Sequence, residues 1–500
     1  MRGGVTSARG LRWILAVVAL SAHLLFAGSQ GYFSDETYFI DCSRHLDFGY
    51  FDLAPLLPLL VRLSRALGGP SLLALRFLPA LGHAGTIWTG LLIAEELGGG
   101  LFAQALTGLC LMGAPGFVLL GSLFLSPSLE PFFWTLITYL FLRLIGRGRT
   151  ELWPGIGVLV GVGILYRPSL LFHVAGLGFG LVAARKFHFL VNRRFAAGAG
   201  VAALLIAPTL VWQATHAWNM LVFAHSVADS TMVRNIGASA FLLAPVLALN
   251  PICAPLWIGG WAYLTAAKRM RPYRAVAGAY VFSVATLWLF GGKAYYLAGA
   301  YPALLAAGAV GLEALLARWN PKSRLPQVAL LALFAMAGAA LAPAGLPILG
   351  PEATDRYLDS LGALSISRAL QLIGIRRDTE GSEREQLLRD LVAVQTRLAR
   401  EGGPAERVLT AHYFQASWIN VLGPSYGLPA AVSGSNSYYL WGPGPGPVES
   451  AVAVGFSAED LSRWFGKVEI TPENPELAVV RAPRRPFAEI WPELKSYPFP

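Results

Sequence analysis

Five carboxylates, Asp35, Glu36, Asp41, Asp47 and Asp52, fall within "GYFSDETYFIDCSRHLDFGYFDLAPLLPLL", residues 31–60, directly after the first long apolar run of the chain. Holding a carboxylate beside lipid and aromatic rings is costly, so such a group is expected to have a task. Desolvation also raises its basicity, which suits a general base that takes a proton from a hydroxyl. Asp35 and Glu36 open the segment, with Tyr38 and Phe39 adjoining, and Ser34 reads as the N-cap of a short helix. Asp41 and Asp47 fit a solvated interfacial face. Cations that could answer an anion stand elsewhere. Arg167 lies in "GILYRPSLLF" between two short apolar runs, and Lys293 is followed closely by Tyr295 and Tyr296. Lys as a point charge and Tyr as a donor suit a phosphate, although the same pair also fits an interfacial anchor. Arg44 and Arg234 are weaker candidates for that role. His216 and His225 are nine residues apart and fit structural roles at least as well as metal ligation; no metal site is expected.

These residues must be positioned by membrane elements. The chain is 55% hydrophobic and only 14% charged, well below the charge of a soluble globular protein. Apolar runs recur near residues 11–28, 72–96, 101–125, 131–147, 153–166, 168–184, 195–213, 241–265, 275–291, 295–316 and 326–349. They predict a polytopic α-helical membrane protein of about eleven spans. A net charge of +10 would otherwise suggest nucleic acid. With the N-terminus inside, however, the inner joints hold about three times the basic residues of the outer ones. The charge therefore reads as topology, with no nucleic-acid partner. The first long loop, about residues 29–70, and the C-terminus then lie outside the cytoplasm. Composition changes after Pro351: a charged helical stretch is followed by short β-rich runs at residues 407–411, 451–454 and 477–481. The expected organisation is a membrane domain, 1–350, and an extracytoplasmic α/β domain, 351–500. The three cysteines make no disulfide framework.

The loop resembles the opening loop of the lipid-linked-sugar glycosyltransferases related to dolichyl-phosphate-mannose protein mannosyltransferases and to the aminoarabinose transferase of lipid A, which share the GT-C membrane fold. That family carries D-E-x-Y, a short aromatic-rich helix, then G-Y-[FY]-D-x-x-P-L; here stand Asp35-Glu36-Thr37-Tyr38, Gly49-Tyr50-Phe51-Asp52 and Pro55-Leu56. "LVWQATHAWNMLVFAHSV" is similar to its W-x-x-x-H-x-W segment, and "GGKAYYLAGAYPALLAAGAVGLE" to its K-x-Y-Y-L-x-x-x-Y-P-A-L span entry. "YGLPAAVSGSNSYYLWGPGP" and "RPFAEIWPELKSY" resemble the outer domain of bacterial members. Where the family has an acidic triplet at the second external joint, this chain has "LSPSLEP", leaving Glu130 as the weaker candidate for a second acidic site residue.

The resemblance implies a bacterial inner-membrane enzyme that moves a sugar from a polyprenyl-phosphate donor to a hydroxyl of an acceptor lipid, glycan or protein. It implies Asp35 as inverting base with Glu36 beside it. Arg167, Lys293, Tyr295 and Tyr296 would meet the donor phosphate, and Tyr38, Tyr50, Asp52 and Pro55 would position the loop. No cofactor is required, and the partners are membrane lipids, donor and acceptor. A transporter or flippase of a lipid-linked precursor is the competing reading, but the chain shows no clear internal repeat.

Overall fold

The computed structural model describes residues 2–229, 237–319, 322–363, 379–403, 405–446 and 448–496. Its Cα packing divides the chain into two compact units. One holds Met1–Gln30, Leu63–Val211 and Thr231–Ile375; the other holds Gly31–Arg62, Trp212–Ser230 and Arg376–Pro500.

The first unit is helical, with helices over each of the eleven apolar runs. Five of them, Ser7–Phe26, Leu72–Glu96, Arg193–Thr215, Ala294–Trp319 and Leu325–Gly345, are long and apolar enough to cross a membrane. Counting two bent pairs as single spans raises the number to seven among the described residues. The protein is thus membrane-embedded, but the eleven full spans read from composition are not all present as straight crossings. The reason is local chemistry. Pro115 starts a new helix and bends Leu101–Met112 against Pro115–Ser122 by 62°. Asn250, with φ of 71°, followed by Pro251, bends Ala238–Ala248 against Pro251–Ala266 by 99°. Trp153–Tyr166 and Leu170–Ala183 have 14 residues each, about 21 Å of helix against roughly 30 Å of hydrocarbon.

The second unit is built on a five-stranded sheet of order β2-β1-β3-β5-β4. The strands are β1 (Arg407–Thr410), β2 (Ala431–Ser433), β3 (Ser450–Val454), β4 (Phe465–Ile470) and β5 (Leu477–Pro483). β2, β1 and β3 are parallel, while β5 runs antiparallel to β3 and β4. The three β-rich runs read from the sequence are β1, β3 and β5; short β2 and the largely exposed β4 lacked that signal. Parallel strands need a crossover, and helix Tyr413–Leu422 supplies it between β1 and β2. One side of the sheet closes on Leu409, Leu461, Phe465, Val480, Ile490 and Trp491. Two helices start just beyond the carboxyl ends of parallel strands: Tyr413–Leu422 after β1, and Asn436–Trp441 after β2. In open α/β sheets that end is where ligands collect. Here the acidic loop sits against it.

Candidate active site: an acidic loop and a buried cation

The loop helix is Ser34–Cys42. Its N-cap is Phe33, not Ser34: the Glu36 carboxylate accepts from the Phe33 backbone N–H at 2.9 Å. Ser34 instead faces helix Tyr413–Leu422 and accepts from the Trp418 indole N–H at 3.2 Å. Thr37 meets Ser417 on the same helix, hydroxyl to hydroxyl, at 2.8 Å.

Two of the acids are gripped by C-terminal side chains. Asp41, 2% exposed, accepts from the Tyr438 hydroxyl at 2.5 Å and from the Asn420 amide at 3.0 Å, with Arg44 at 3.2 Å. Arg44 also donates to the Asn420 carbonyl at 3.0 Å, so it ties the loop helix to the sheet unit. Asp52 accepts from the Tyr38 hydroxyl at 2.6 Å and from the Asn436 amide at 2.7 Å. Buried polar groups need such partners. Burial still dominates at Asp52: desolvation pushes its carboxyl up to about 6, against the pull of Tyr38 and Asn436. Burial likewise raises Tyr38 and Tyr438 well above the usual phenol range, with Asp52 and Asp41 respectively adding to it.

Asp35 differs from these. It is half-buried at the second position of the helix, with the Tyr413 hydroxyl 3.5 Å from its Oδ1. The Tyr413 ring packs edge-on to that of Tyr38, centroids 4.8 Å apart. Glu36, by contrast, is fully buried and occupied in the cap. Asp47 lies at the exposed loop tip and accepts from the Phe48 N–H at 2.7 Å.

The first unit brings a second group of candidates together. Pro168 forces the preceding residue out of helical geometry, and Arg167 accordingly ends helix Trp153–Tyr166 with φ −155° and ψ 118°. Its guanidinium lies 3.1 Å from Glu130 Oε2 and donates to Ser169 at 3.0 Å and Ser126 at 2.6 Å. Ser169 donates in turn to the other Glu130 oxygen. The rings of Tyr296 and Tyr295 approach the guanidinium to 4.7 and 5.7 Å from their centroids, within cation–π reach. Arg167 is therefore not the isolated cation that its sequence context implied. Glu130, read as a possible second site acid, is its buried counter-ion. Lys293 caps the turn Ala294–Ala300 that carries both tyrosines.

Comparison with known proteins bears on the fold. Residues 52–212 match the family model described as dolichyl-phosphate-mannose-protein mannosyltransferase. No curated protein sequence matches the chain. Among solved structures, ArnT from Cupriavidus metallidurans in the apo state is similar at TM-score 0.57 and 15% identity, covering 95% of this chain and 98% of that one. The same protein bound to undecaprenyl phosphate gives 0.56 and 15%, over 94% and 98%. The oligosaccharyltransferase AglB from Archaeoglobus fulgidus, in complex with an inhibitory peptide and a dolichol-phosphate, gives 0.50 and 12%, over 95% and 74%. The fold is the one shared with ArnT and AglB.

Within this fold the remaining candidates have local explanations. Tyr50 receives the Asp47 N–H at 3.3 Å and donates to the His45 carbonyl at 3.0 Å, closing the loop tip. Gly49 has no room for a side chain, since a Cβ would overlap the Trp212 indole. Pro55 is half-buried just before helix Leu56–Gly68. His216 stacks on Trp212 with centroids 4.0 Å apart and lies 2.8 Å from the Trp212 carbonyl. His225, exposed, pairs with Asp229 at 3.0 Å. Among the described residues no cluster of three or more His, Cys, Asp or Glu is placed to hold a metal. Arg234 lies outside the described residues. Sequence reasoning missed Asn420, Asn436 and Tyr438, the residues that receive the loop acids. Asn436 and Tyr438 lie in "SGSNSYYLW", a stretch noted in the sequence only for its resemblance to the outer domain of bacterial members, and Asn420 carried no signal.

Two outcomes follow from this geometry. Removing one partner of a buried ion pair leaves an uncompensated charge. Glu130→Ala should therefore destabilise the detergent-solubilised protein by about 3–5 kcal/mol, and Glu130→Ala/Arg167→Ala by less, measured by thermal unfolding. For Asp52, the folded carboxyl titrates near 6 against an ordinary 3.8. The native state thus binds the extra proton between about pH 4 and 6, and this group's contribution to stability falls as pH rises through that window. Asp52→Asn should remove up to about 3 kcal/mol of that fall, read as the wild-type minus variant difference across a pH series.

Proposed function

We propose that the protein is a membrane glycosyltransferase that moves a sugar from a polyprenyl-phosphate donor to an acceptor hydroxyl, with inversion, on the extracytoplasmic face of a bacterial inner membrane. The observation that carries this reading is the unequal treatment of the acids in one loop. Asp41 and Asp52 each accept from side chains of the C-terminal segment at 3.0 Å or less and Glu36 closes its own helix start, while half-buried Asp35, at the head of the D-E-x-Y pattern, has the Tyr413 hydroxyl at 3.5 Å. Structural neighbours of the same fold, one bound to undecaprenyl phosphate and one to a dolichol-phosphate, support a lipid-phosphate donor here.

In this mechanism Asp35 takes the proton of the acceptor hydroxyl. The oxygen attacks the anomeric carbon from the face opposite the phosphate. The bond from that carbon to the phosphate oxygen breaks, and its electron pair leaves with the polyprenyl phosphate. The leaving group needs cations rather than a proton. Arg167 alone brings no net charge, because Glu130 neutralises it. The reading therefore gives Arg167 an orienting role, with Tyr295 and Tyr296 as donors, and assigns net charge to Lys293. Asp52, Tyr38, Tyr50 and Pro55 keep the loop in shape. Sugar and acceptor are recognised elsewhere in the outer loops and the C-terminal unit.

A panel of radiolabelled undecaprenyl-phosphate sugars offered to membranes containing the protein tests this directly. Turnover of at least one donor is expected, and Asp35→Asn should lower kcat by about 10²–10⁴-fold with donor binding largely kept. Normal turnover by Asp35→Asn in a protein that handles the donor would remove Asp35 as base. Transport of an intact donor across the bilayer without sugar transfer would replace the enzyme reading.

A further inference from the structure

The strongest unassigned feature lies in the segment between β2 and the helix Asn436–Trp441. β2 ends at buried Ser433, and the next residues run along the C-terminal tail: the Ser496 N–H donates to the Gly434 carbonyl at 3.0 Å, and the Trp491 indole donates to the Tyr439 carbonyl at 3.1 Å. Gly434 has no space for a Cβ against the Leu494 carbonyl. Lys495 lies 5.1 Å from the Tyr439 ring centroid and 5.9 Å from that of Phe51. The segment is thus fixed from behind by the tail. Its front face presents three consecutive side chains to the acidic loop. Asn436 donates to Asp52 Oδ2 at 2.7 Å, Ser437 Oγ accepts from the Phe51 N–H at 3.2 Å, and Tyr438 donates to Asp41 at 2.5 Å.

Asn436 is also held at φ of 51°. That left-handed region suits glycine and is tolerated by Asn better than by most residues. Glycine would meet the backbone requirement at lower strain but would leave Asp52 Oδ2 without this donor. A side chain in the strained position that a smaller residue would fill more easily points to the amide itself as the selected feature.

We propose that Asn436 is a positioning residue of the glycosyl-transfer site: through Asp52 it sets the Gly49–Asp52 turn and the Tyr38 face of the loop helix, and so the placement of Asp35. This rests on the function proposed above. Asp52 is the shared hub, because the Tyr38 hydroxyl occupies its Oδ1 while Asn436 occupies its Oδ2. Tyr38 lies three residues after Asp35 on the same helix and packs on Tyr413, whose hydroxyl faces Asp35. The C-terminal sheet then acts as the rigid element on which the loop is registered, a different task from acceptor binding.

Two variants separate positioning from simple structure. Asn436→Gly relieves the positive φ and removes the amide. It should still fold, with a melting temperature lowered only modestly because the relieved strain partly offsets the lost donor, yet lose kcat by about 10–100-fold, the kinetic equivalent of one charge-assisted hydrogen bond, with KM little changed. Unchanged kcat in that folded variant overturns the proposal. The reciprocal exchange Asp52→Asn/Asn436→Asp restores one amide donor and one carboxylate acceptor across the same gap. It should recover most of the activity lost in each single variant; a double variant no better than the singles also overturns it. Hydrogen exchange of the backbone amides of residues 45–55 in the full chain supplies a readout independent of activity. It should speed up in Asn436→Gly and return in the exchange variant. If wild-type protein turns over no donor, the function reading fails by itself, and the exchange pattern still decides whether Asn436 registers the loop.

Discussion

Two carboxylates that cannot be left unpaired hold the second unit together. Asp41 and Asp52 lie where the loop helix meets the carboxyl ends of β1 and β2, and each has at least one donor on a segment nearly 400 residues away in sequence, the Asn436–Asp52 pair being separated by 384. Bringing such distant segments together costs chain entropy, though the cost grows slowly with separation. Charge-assisted hydrogen bonds to desolvated carboxylates, backed by the aromatic contacts of Tyr38 with Tyr413 and Tyr438, offset it. The acidic loop and the sheet are consequently one packing unit, whatever their distance along the chain.

That division of labour bears on chemistry. Carboxylates whose oxygens are taken up by protein donors make a rigid frame and leave little room for a substrate hydroxyl to approach. Concentrating several acids in one short loop therefore makes sense if Glu36, Asp41 and Asp52 build the frame that fixes where Asp35 lies. The cation site follows a similar logic. Arg167 is oriented by Glu130, Ser126 and Ser169, which fixes its direction at the expense of net charge, so a phosphate there would need the additional charge of Lys293.

Much of this was legible in the sequence, and the exceptions have physical causes. The loop motif, the helical runs and three of five strands follow from residue type and period. All eleven apolar runs carry helices, but five are long and apolar enough to cross alone, or seven with the bent pairs, because composition reports apolarity whereas Pro115 and the Asn250-Pro251 step decide where a helix bends. Ser34 suits an N-cap by type, but Glu36 reaches Phe33 and frees Ser34 to meet Trp418. Arg167 read as isolated because its partner Glu130 is 37 residues earlier, at the start of the helix Glu130–Arg147 and two α-helices back along the chain, and no spacing rule links them. Asn436 and Tyr438 were hidden for the same reason: their partners are identified only by the fold.

The stereochemistry of the product tests the central claim most directly. Full-length protein in liposomes would be given the donor it turns over, and the anomeric configuration of the transferred sugar read by proton NMR. A single displacement with a carboxylate base is expected to give the configuration opposite to that in the donor. Retained configuration would require a double displacement through a covalent sugar–enzyme intermediate and would contradict Asp35 as a base.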